Sequence, residues 1–211
     1  MHRFLVRLID DKRHAPADDL VSALIAARDR DDRLSESELV GMAFLLLFGG
    51  YHNASSLMAS TVLALLTHPG HLAAVRAGDL PMDAVTEETL RWETPAMLAV
   101  RRFATRDMRI GDTTVTAGER IWLSWASANR DPDRFVAPEV FDPTREDNAH
   151  LAFGHGTHYC PGAALARLEN AIAVGSLTQR FPRLSLIGSP STLRWTSSLR
   201  SRSLLALPVS L

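Results

Sequence analysis

One cysteine in the chain has neighbours that could support chemistry. The segment AFGHGTHYCPG, residues 152–162, contains Cys160, the single cysteine among 211 residues, and it also contains Gly154, Gly156 and Gly162. Glycine permits backbone conformations and a close approach that other residues do not. A flat, bulky group could therefore lie against this loop, with a sulfur atom available to bind it.

The residues alone leave the chemistry of Cys160 open. The stretch from Pro161 to Arg180 predicts a helix, and its N-terminal partial positive charge would favour a thiolate at Cys160 over a thiol. A lone cysteine is as often a buried structural residue, and a cysteine hydrolase would need a histidine base that no motif selects. Zinc would need more ligands: His155 and His158 are near, but no second cluster completes a set of four.

Composition excludes several classes of function. The chain is 46% hydrophobic with a formal net charge of -1, and its arginines are spread along the sequence, which argues against binding nucleic acid or acidic lipid. One cysteine cannot form an intrachain disulfide, and the N-terminal segment lacks the pattern of a signal peptide. We therefore predict a globular, cytoplasmic protein.

A long helix is the most conspicuous predicted element. Ser35 and Glu38 have the spacing of a capping box, and the helix continues from there until Pro69. Residues 39–48 contain no polar side chain, so this part of the helix is expected to be buried on every side. The apolar run is well short of the roughly 20 residues that a membrane span requires.

The other segments complete a mainly α prediction with small β-sheets, an α+β fold. We predict one domain over residues 1–211. Its expected elements are a helical segment within the first thirty residues, helices near 70–78 and 83–93, short strands within 99–123, an ordered loop at 129–147, and a strand or hairpin in 193–211.

The cysteine segment resembles the haem-binding loop of the cytochrome P450 family. In that loop a Phe, two glycines, a basic residue, the ligand cysteine and another glycine follow in the order found in FGHGTHYCPG. Two more motifs agree: EETLR supplies Glu88 and Arg91, and FDPTR supplies Arg145, which together resemble the family's buried structural triad. The resemblance covers the chain but corresponds only to the C-terminal half of the family fold.

The resemblance implies a role for each matching residue. Cys160 would be the proximal thiolate ligand of the iron of haem b, and so the metal ligand. Phe153 would pack near the sulfur, and His158 and Arg102 would neutralise the haem propionates. The other expected haem-binding positions are Gly49, Gly50, Gly154, Gly156 and Gly162.

The distal positions depart from the family pattern. The long helix resembles the one that crosses the distal face of the haem, where an acid and a threonine normally order water and pass protons to bound dioxygen. Here His52 and Asn53 occupy these two positions. Histidine can relay protons and asparagine can donate a hydrogen bond, so we expect catalysis with poorer coupling of oxygen use to product. The alternative is that both residues merely fill helix positions.

By resemblance, the function is that of a bacterial haem-thiolate monooxygenase. It would insert one oxygen atom from O2 into a small organic substrate of secondary metabolism, with electrons from NAD(P)H through ferredoxin reductase and ferredoxin. Without the family's N-terminal half, residues 39–48 would leave an exposed apolar patch, open to a partner protein. Two alternatives are a non-catalytic haem-binding or partner-interaction module and a truncated product that folds poorly.

Overall fold

The computed structural model describes residues 1–31 and 34–211 of the chain, and helices dominate it. The prediction of a mainly α fold with small sheets is confirmed. The helices are α1 (His2–His14), α2 (Leu20–Asp31), α3 (Glu36–Thr67), α4 (Pro69–Ala77), α5 (Met82–Trp92), α6 (Trp125–Ala128) and α7 (Ala163–Arg180). The strands are β1 (Arg102–Phe103), β2 (Met108–Ile110), β3 (Thr113–Val115), β4 (Arg120–Ile121), β5 (Ser185–Leu186) and β6 (Val209–Ser210).

The chain divides into two compact units, residues 1–52 and residues 53–211, and α3 contributes to both. The first unit contains two helices, α1 and α2, where the sequence predicted a single helical segment. Its apolar core consists of Leu5, Ile9, Ile25, Leu39 and Ala43.

The predicted capping box begins α3. The backbone N–H of Glu38 donates to Oγ of Ser35 at 3.3 Å, and the N–H of Ser35 donates to a carboxylate oxygen of Glu38 at 2.8 Å. These two bonds satisfy amides that the first helical turn leaves without intrahelical partners. The predicted start and length of this helix are confirmed.

The expectation that residues 39–48 are buried on every side is wrong. Leu39 and Ala43 are buried, but Leu45 is 59% exposed and Phe48 is 63% exposed. An apolar run without a helical period has no polar face to turn outward, so the side not covered by α1 and α2 stays apolar in solvent. The predicted exposed apolar patch is therefore present. No single helix among the described residues is long and apolar enough to cross a membrane; only α3 and α4 together, bent by 104°, meet that criterion.

The second unit is built around α7, which packs against α4 and α5. The buried residues of α7 follow a helical stripe, Ala163, Asn170, Val174 and Thr178. Asn170 joins three helices, because its side chain donates to Thr86 of α5 at 2.9 Å and accepts from Thr61 of α3 at 3.2 Å. The apolar core of this unit consists of Val62, Ala64, Leu65, Leu72, Val75, Leu80, Val85, Phe141, Val174 and Leu184.

The strands form three two-stranded antiparallel sheets, β1 with β4, β2 with β3, and β5 with β6. This agrees with the short strands predicted in 99–123 and in the tail. The expected ordered loop at 129–147 contains neither helix nor strand. The start of α7 differs from the prediction: the helix begins at Ala163 with Gly162 as its N-cap, so Pro161 lies outside the first turn.

Candidate haem-binding site

The segment that carries Cys160 is a tight loop closed by its own backbone. The N–H of Cys160 donates to the carbonyl oxygen of Phe153 at 2.9 Å, and the N–H of Tyr159 donates to that of Gly156 at 3.0 Å. The carbonyl of Cys160 in turn accepts the N–H of Ala163 at 3.2 Å, at the start of α7. Cys160 is half-buried and is not part of a disulfide.

Two glycines give this loop its shape. Gly154 has φ +75° and Gly156 has φ +71°, in the left-handed region that side chains with a Cβ avoid. A Cβ at Gly154 would be 3.6 Å from the ring of Trp125 and from the carbonyl oxygen of His158. A Cβ at Gly156 would meet no atom within 4 Å, so the loop is open to its surroundings on that side.

Glu88, Arg91 and Arg145 are brought together as a buried ion cluster. Arg91 donates two hydrogen bonds to the carboxylate of Glu88, at 2.8 and 2.7 Å, and neither side chain is exposed. Arg145 donates to the same carboxylate at 3.2 Å from the other side. Each guanidinium also donates to backbone carbonyl groups of residues 136–140, so the charges are well hydrogen-bonded despite their burial.

Two asparagines, which the sequence did not single out, link this cluster to the cysteine loop. Asn148 donates to Glu88 at 3.1 Å. Asn129 accepts the N–H of Leu151 at 2.7 Å, while its own backbone carbonyl accepts from Arg91 at 3.0 Å. The start of the cysteine loop is thereby fixed to the buried ion cluster through the side chains of Asn129 and Asn148.

A second cluster, which the sequence did not predict, forms around Glu87, the residue before Glu88 on α5. Arg167 of α7 donates to both carboxylate oxygens of Glu87, at 2.6 and 2.9 Å, and Nε2 of His150 is 3.2 Å from the same carboxylate. Burial would raise the pKa of Glu87, but its contacts with Arg167 and His150 lower it to about 2. Glu87 therefore stays ionised at neutral pH and holds a cation of α7 beside the cysteine loop.

Of the other residues predicted for the site, Phe153 and His158 lie in the cysteine loop and Arg102 lies on β1. Arg102 is half-buried on β1 and donates to the carbonyl of Val100 at 3.0 Å. His158 is exposed in the cysteine loop, and Phe153 is half-buried.

The predicted distal residues all lie on α3. His52 and Gly49 are half-buried, and Asn53 and Gly50 are exposed. A Cβ at either glycine would meet nothing within 4 Å. The roles of these four positions stay predictions.

The residues of the loop fit a haem group. A single thiol sulfur on an open, glycine-bearing loop is the donor set of haem-thiolate ligation, and the imidazole of His158 offers a basic partner for a carboxylate. Within the described residues, no group of three or more His, Cys, Asp or Glu side chains could hold a metal ion by itself. A cavity of about 710 Å³ lies along β2, β3 and β4, and its lining does not include Cys160.

Comparison with known proteins identifies the family. The cytochrome P450 family model matches residues 79–193, more than half of the chain. The chain is 47% identical over 209 residues to Cytochrome P450 107B1 of Saccharopolyspora erythraea, covering 99% of this chain and 52% of the relative. It is 44% identical to the Cytochrome P450 monooxygenase PikC of Streptomyces venezuelae, covering 99% of this chain and 50% of that relative.

Solved structures agree with the sequence match. The tirandamycin C-bound P450 monooxygenase TamI superposes with a TM-score of 0.91 at 45% identity, covering 99% of this chain and 52% of that one. The chain belongs to the cytochrome P450 family. It spans about half the length of the curated relatives it matches.

Proposed function

We propose that the chain forms the haem-bearing part of a haem-thiolate monooxygenase. The observation that carries the proposal is the loop around Cys160, which presents one half-buried sulfur after two glycines in left-handed conformations. Its relatives include proteins named as P450 monooxygenases. When bound, haem would supply the activation of O2, with one oxygen atom inserted into the substrate and the other reduced to water.

The residues of this chain would hold the haem and set its surroundings. Cys160 would bind the iron through its sulfur, and its N–H is already engaged by the carbonyl of Phe153. His158 and Arg102 would neutralise the propionates. Gly154 and Gly156 would let the loop approach the flat face of the group, and the ion cluster of Glu88 would keep the loop in place.

Substrate, electron donors and location are proposed from membership of the cytochrome P450 family. TamI is described bound to tirandamycin C, which supports a small organic molecule as the substrate. We propose that ferredoxin and ferredoxin reductase deliver electrons from NAD(P)H, in the bacterial cytoplasm, as part of secondary metabolism. Polypeptide equivalent to the relatives' other half, in the same chain or as a partner, would complete the substrate pocket.

The test is the absorption spectrum of the purified 211-residue chain expressed with ample haem, reduced and treated with carbon monoxide. We expect the strongly red-shifted Soret band of thiolate-ligated haem. Cys160→Ser should remove that band while leaving the far-ultraviolet circular dichroism unchanged. His155→Ala, a change at an exposed histidine of the same loop, is the matched control and should retain the band.

Two results would overturn the proposal. One is a folded chain that takes up no haem under these conditions. The other is a Cys160→Ser variant with the same spectrum as the original protein, because the iron would then be held by a different side chain.

A non-catalytic haem-binding role is the second candidate, favoured by His52 and Asn53 at the two distal positions. Oxygen consumption and product formation distinguish the two functions. A monooxygenase should yield product, and the double substitution of His52→Asp with Asn53→Thr should raise the product formed per O2 consumed. A haem-binding module should form no product in either version.

A further inference from the structure

Arg167 occupies an unusual place on α7. It lies on the stripe that contains Ala163, Asn170 and Val174, which is the buried side of the helix. Arginine is seldom placed on such a side unless it is paired, and here Glu87 holds it through two short, parallel hydrogen bonds. The pairing joins α5 to α7 across 80 residues of sequence.

The same arginine contacts both sides of the cysteine loop. Its guanidinium lies over the ring of Phe153, 4.7 Å from the ring centre, and it donates to the hydroxyl of Tyr159 at 3.3 Å. These two aromatic rings also meet edge to face, with centres 6.3 Å apart. Phe153 accepts the N–H of Cys160, and Tyr159 precedes Cys160 in the chain. One cation thus contacts a residue on each arm of the loop that presents the sulfur.

His150 holds the loop at its beginning. Nδ1 of His150 accepts the N–H of Ala152 at 3.2 Å, which places the proton of the neutral imidazole on Nε2. That nitrogen is 3.2 Å from the carboxylate of Glu87, without a well-formed hydrogen bond between them. The His150 side chain is only 3% exposed, and its ring lies 6.1 Å from that of Phe153.

We propose that Arg167 is a positioning residue for Cys160, and that Glu87 fixes the guanidinium of Arg167 where it clamps Phe153 and Tyr159. The backbone bond from Cys160 to Phe153 is then maintained by the aromatic contacts on either side of it. The purpose of the clamp, to position Cys160 for haem, rests on the proposed function. The contacts that form the clamp involve the protein alone. The planar guanidinium is required, since it must bind a carboxylate with two donors and contact the face of an aromatic ring at once.

Hydrogen exchange of the haem-free, 211-residue chain measures the clamp directly. In Arg167→Gln, the amides of residues 153–160 should exchange about tenfold faster than in the unmodified protein, because loss of a charged, two-donor bond favours local opening. Glu87→Gln should produce the same local increase. Arg183→Gln removes an exposed arginine beyond the end of α7 and should change nothing in this segment.

A lysine substitution separates positioning from charge. Arg167→Lys keeps the positive charge but loses the planar fork of two nitrogens that binds both oxygens of Glu87, so residues 153–160 should remain fast to exchange. The proposal is overturned if Arg167→Gln leaves exchange in 153–160 unchanged. It is also overturned if exchange rises by the same factor throughout the second unit, or if lysine restores full protection.

Haem binding provides an independent measurement. The Arg167→Gln variant should lose haem to an acceptor protein about tenfold faster than the Arg183→Gln control, in proportion to the local opening. A chain that binds no haem at all would contradict the proposed function and leave the exchange result to decide the clamp. If Arg167→Gln exchanges the amides of residues 153–160 faster but loses haem at the same rate as Arg183→Gln, the clamp exists but does not serve haem binding.

Discussion

Arg91 and Glu88 face each other one helical turn apart on α5, joined by hydrogen bonds of 2.8 and 2.7 Å at a place where neither side chain reaches solvent. Arg145 completes the cluster from a distant loop. Removal of one partner from a buried pair leaves the other charge uncompensated. The second unit should therefore be sensitive to the loss of either partner.

Glu88→Gln should lower the free energy of unfolding by about 3 to 5 kcal/mol, because two buried guanidinium groups lose their counter-charge. Urea denaturation followed by circular dichroism measures the change. Glu146→Gln replaces an exposed glutamate in the same region and should cost less than about 0.5 kcal/mol. Similar losses for both variants would show that the cluster does not stabilise the fold.

Acid should weaken the contact of Glu87 with Arg167 and His150 in a defined interval. The pKa of Glu87 falls from 4.5 to about 2 on folding, so its ionised form stabilises the protein above pH 4.5. That stabilisation is lost progressively as the pH falls from about 4.5 toward about 2. Unfolding of the original protein and of Glu87→Gln, compared over this interval, should show a stability difference that shrinks with acid. A constant difference would contradict the assignment.

The backbone of Gly156 should not tolerate a side chain. Gly156→Ala should destabilise the protein by about 1 kcal/mol or more, because φ is positive there although no atom obstructs the new Cβ. Gly49→Ala provides a control of opposite sign, since it lies within α3 in open space and should stabilise that helix by up to about 1 kcal/mol. Thermal denaturation of the haem-free variants measures both, and a neutral Gly156→Ala would exclude backbone strain as the reason for glycine.

The exposed apolar side of α3 should cause self-association. Phe44 and Phe48 stack with ring centres 5.7 Å apart, beside the exposed Leu45. Replacing Leu45 and Phe48 together by Glu should lower the apparent mass in size-exclusion chromatography with light scattering. Val136→Glu adds charge at an isolated exposed valine and should leave the mass unchanged. A chain that is already monomeric at high concentration would contradict this prediction.

Local sequence signals predicted much of the fold and part of the site. The capping box of Ser35 and Glu38 and the spacing of Glu88 and Arg91 depend on neighbours within one helical turn, so they can be read from the sequence. The loop of Cys160 could be identified because its glycines and cysteine follow a dense, specific pattern.

Features that depend on distant partners could not be predicted in this way. Glu87 appeared in the same motif as Glu88, but nothing near it indicates a bond to Arg167, 80 residues away. The sequence predicted an exposed apolar patch within residues 39–48 but not that Leu45 and Phe48 would form it, because a uniformly apolar run does not show which side has a neighbour. The start of α7 moved by two residues because Gly162, and not Cys160, caps the helix.

Consecutive carboxylates on α5 point to two different arginines, Glu87 to Arg167 on α7 and Glu88 to Arg145 in the long loop. A chimera that takes α5 from a relative therefore keeps both ion pairs only if the arginines at positions 145 and 167 match the acids that the relative's α5 carries. A crossover between residues 88 and 145 would take both acids from one parent and both arginines from the other, even if every segment were individually well formed.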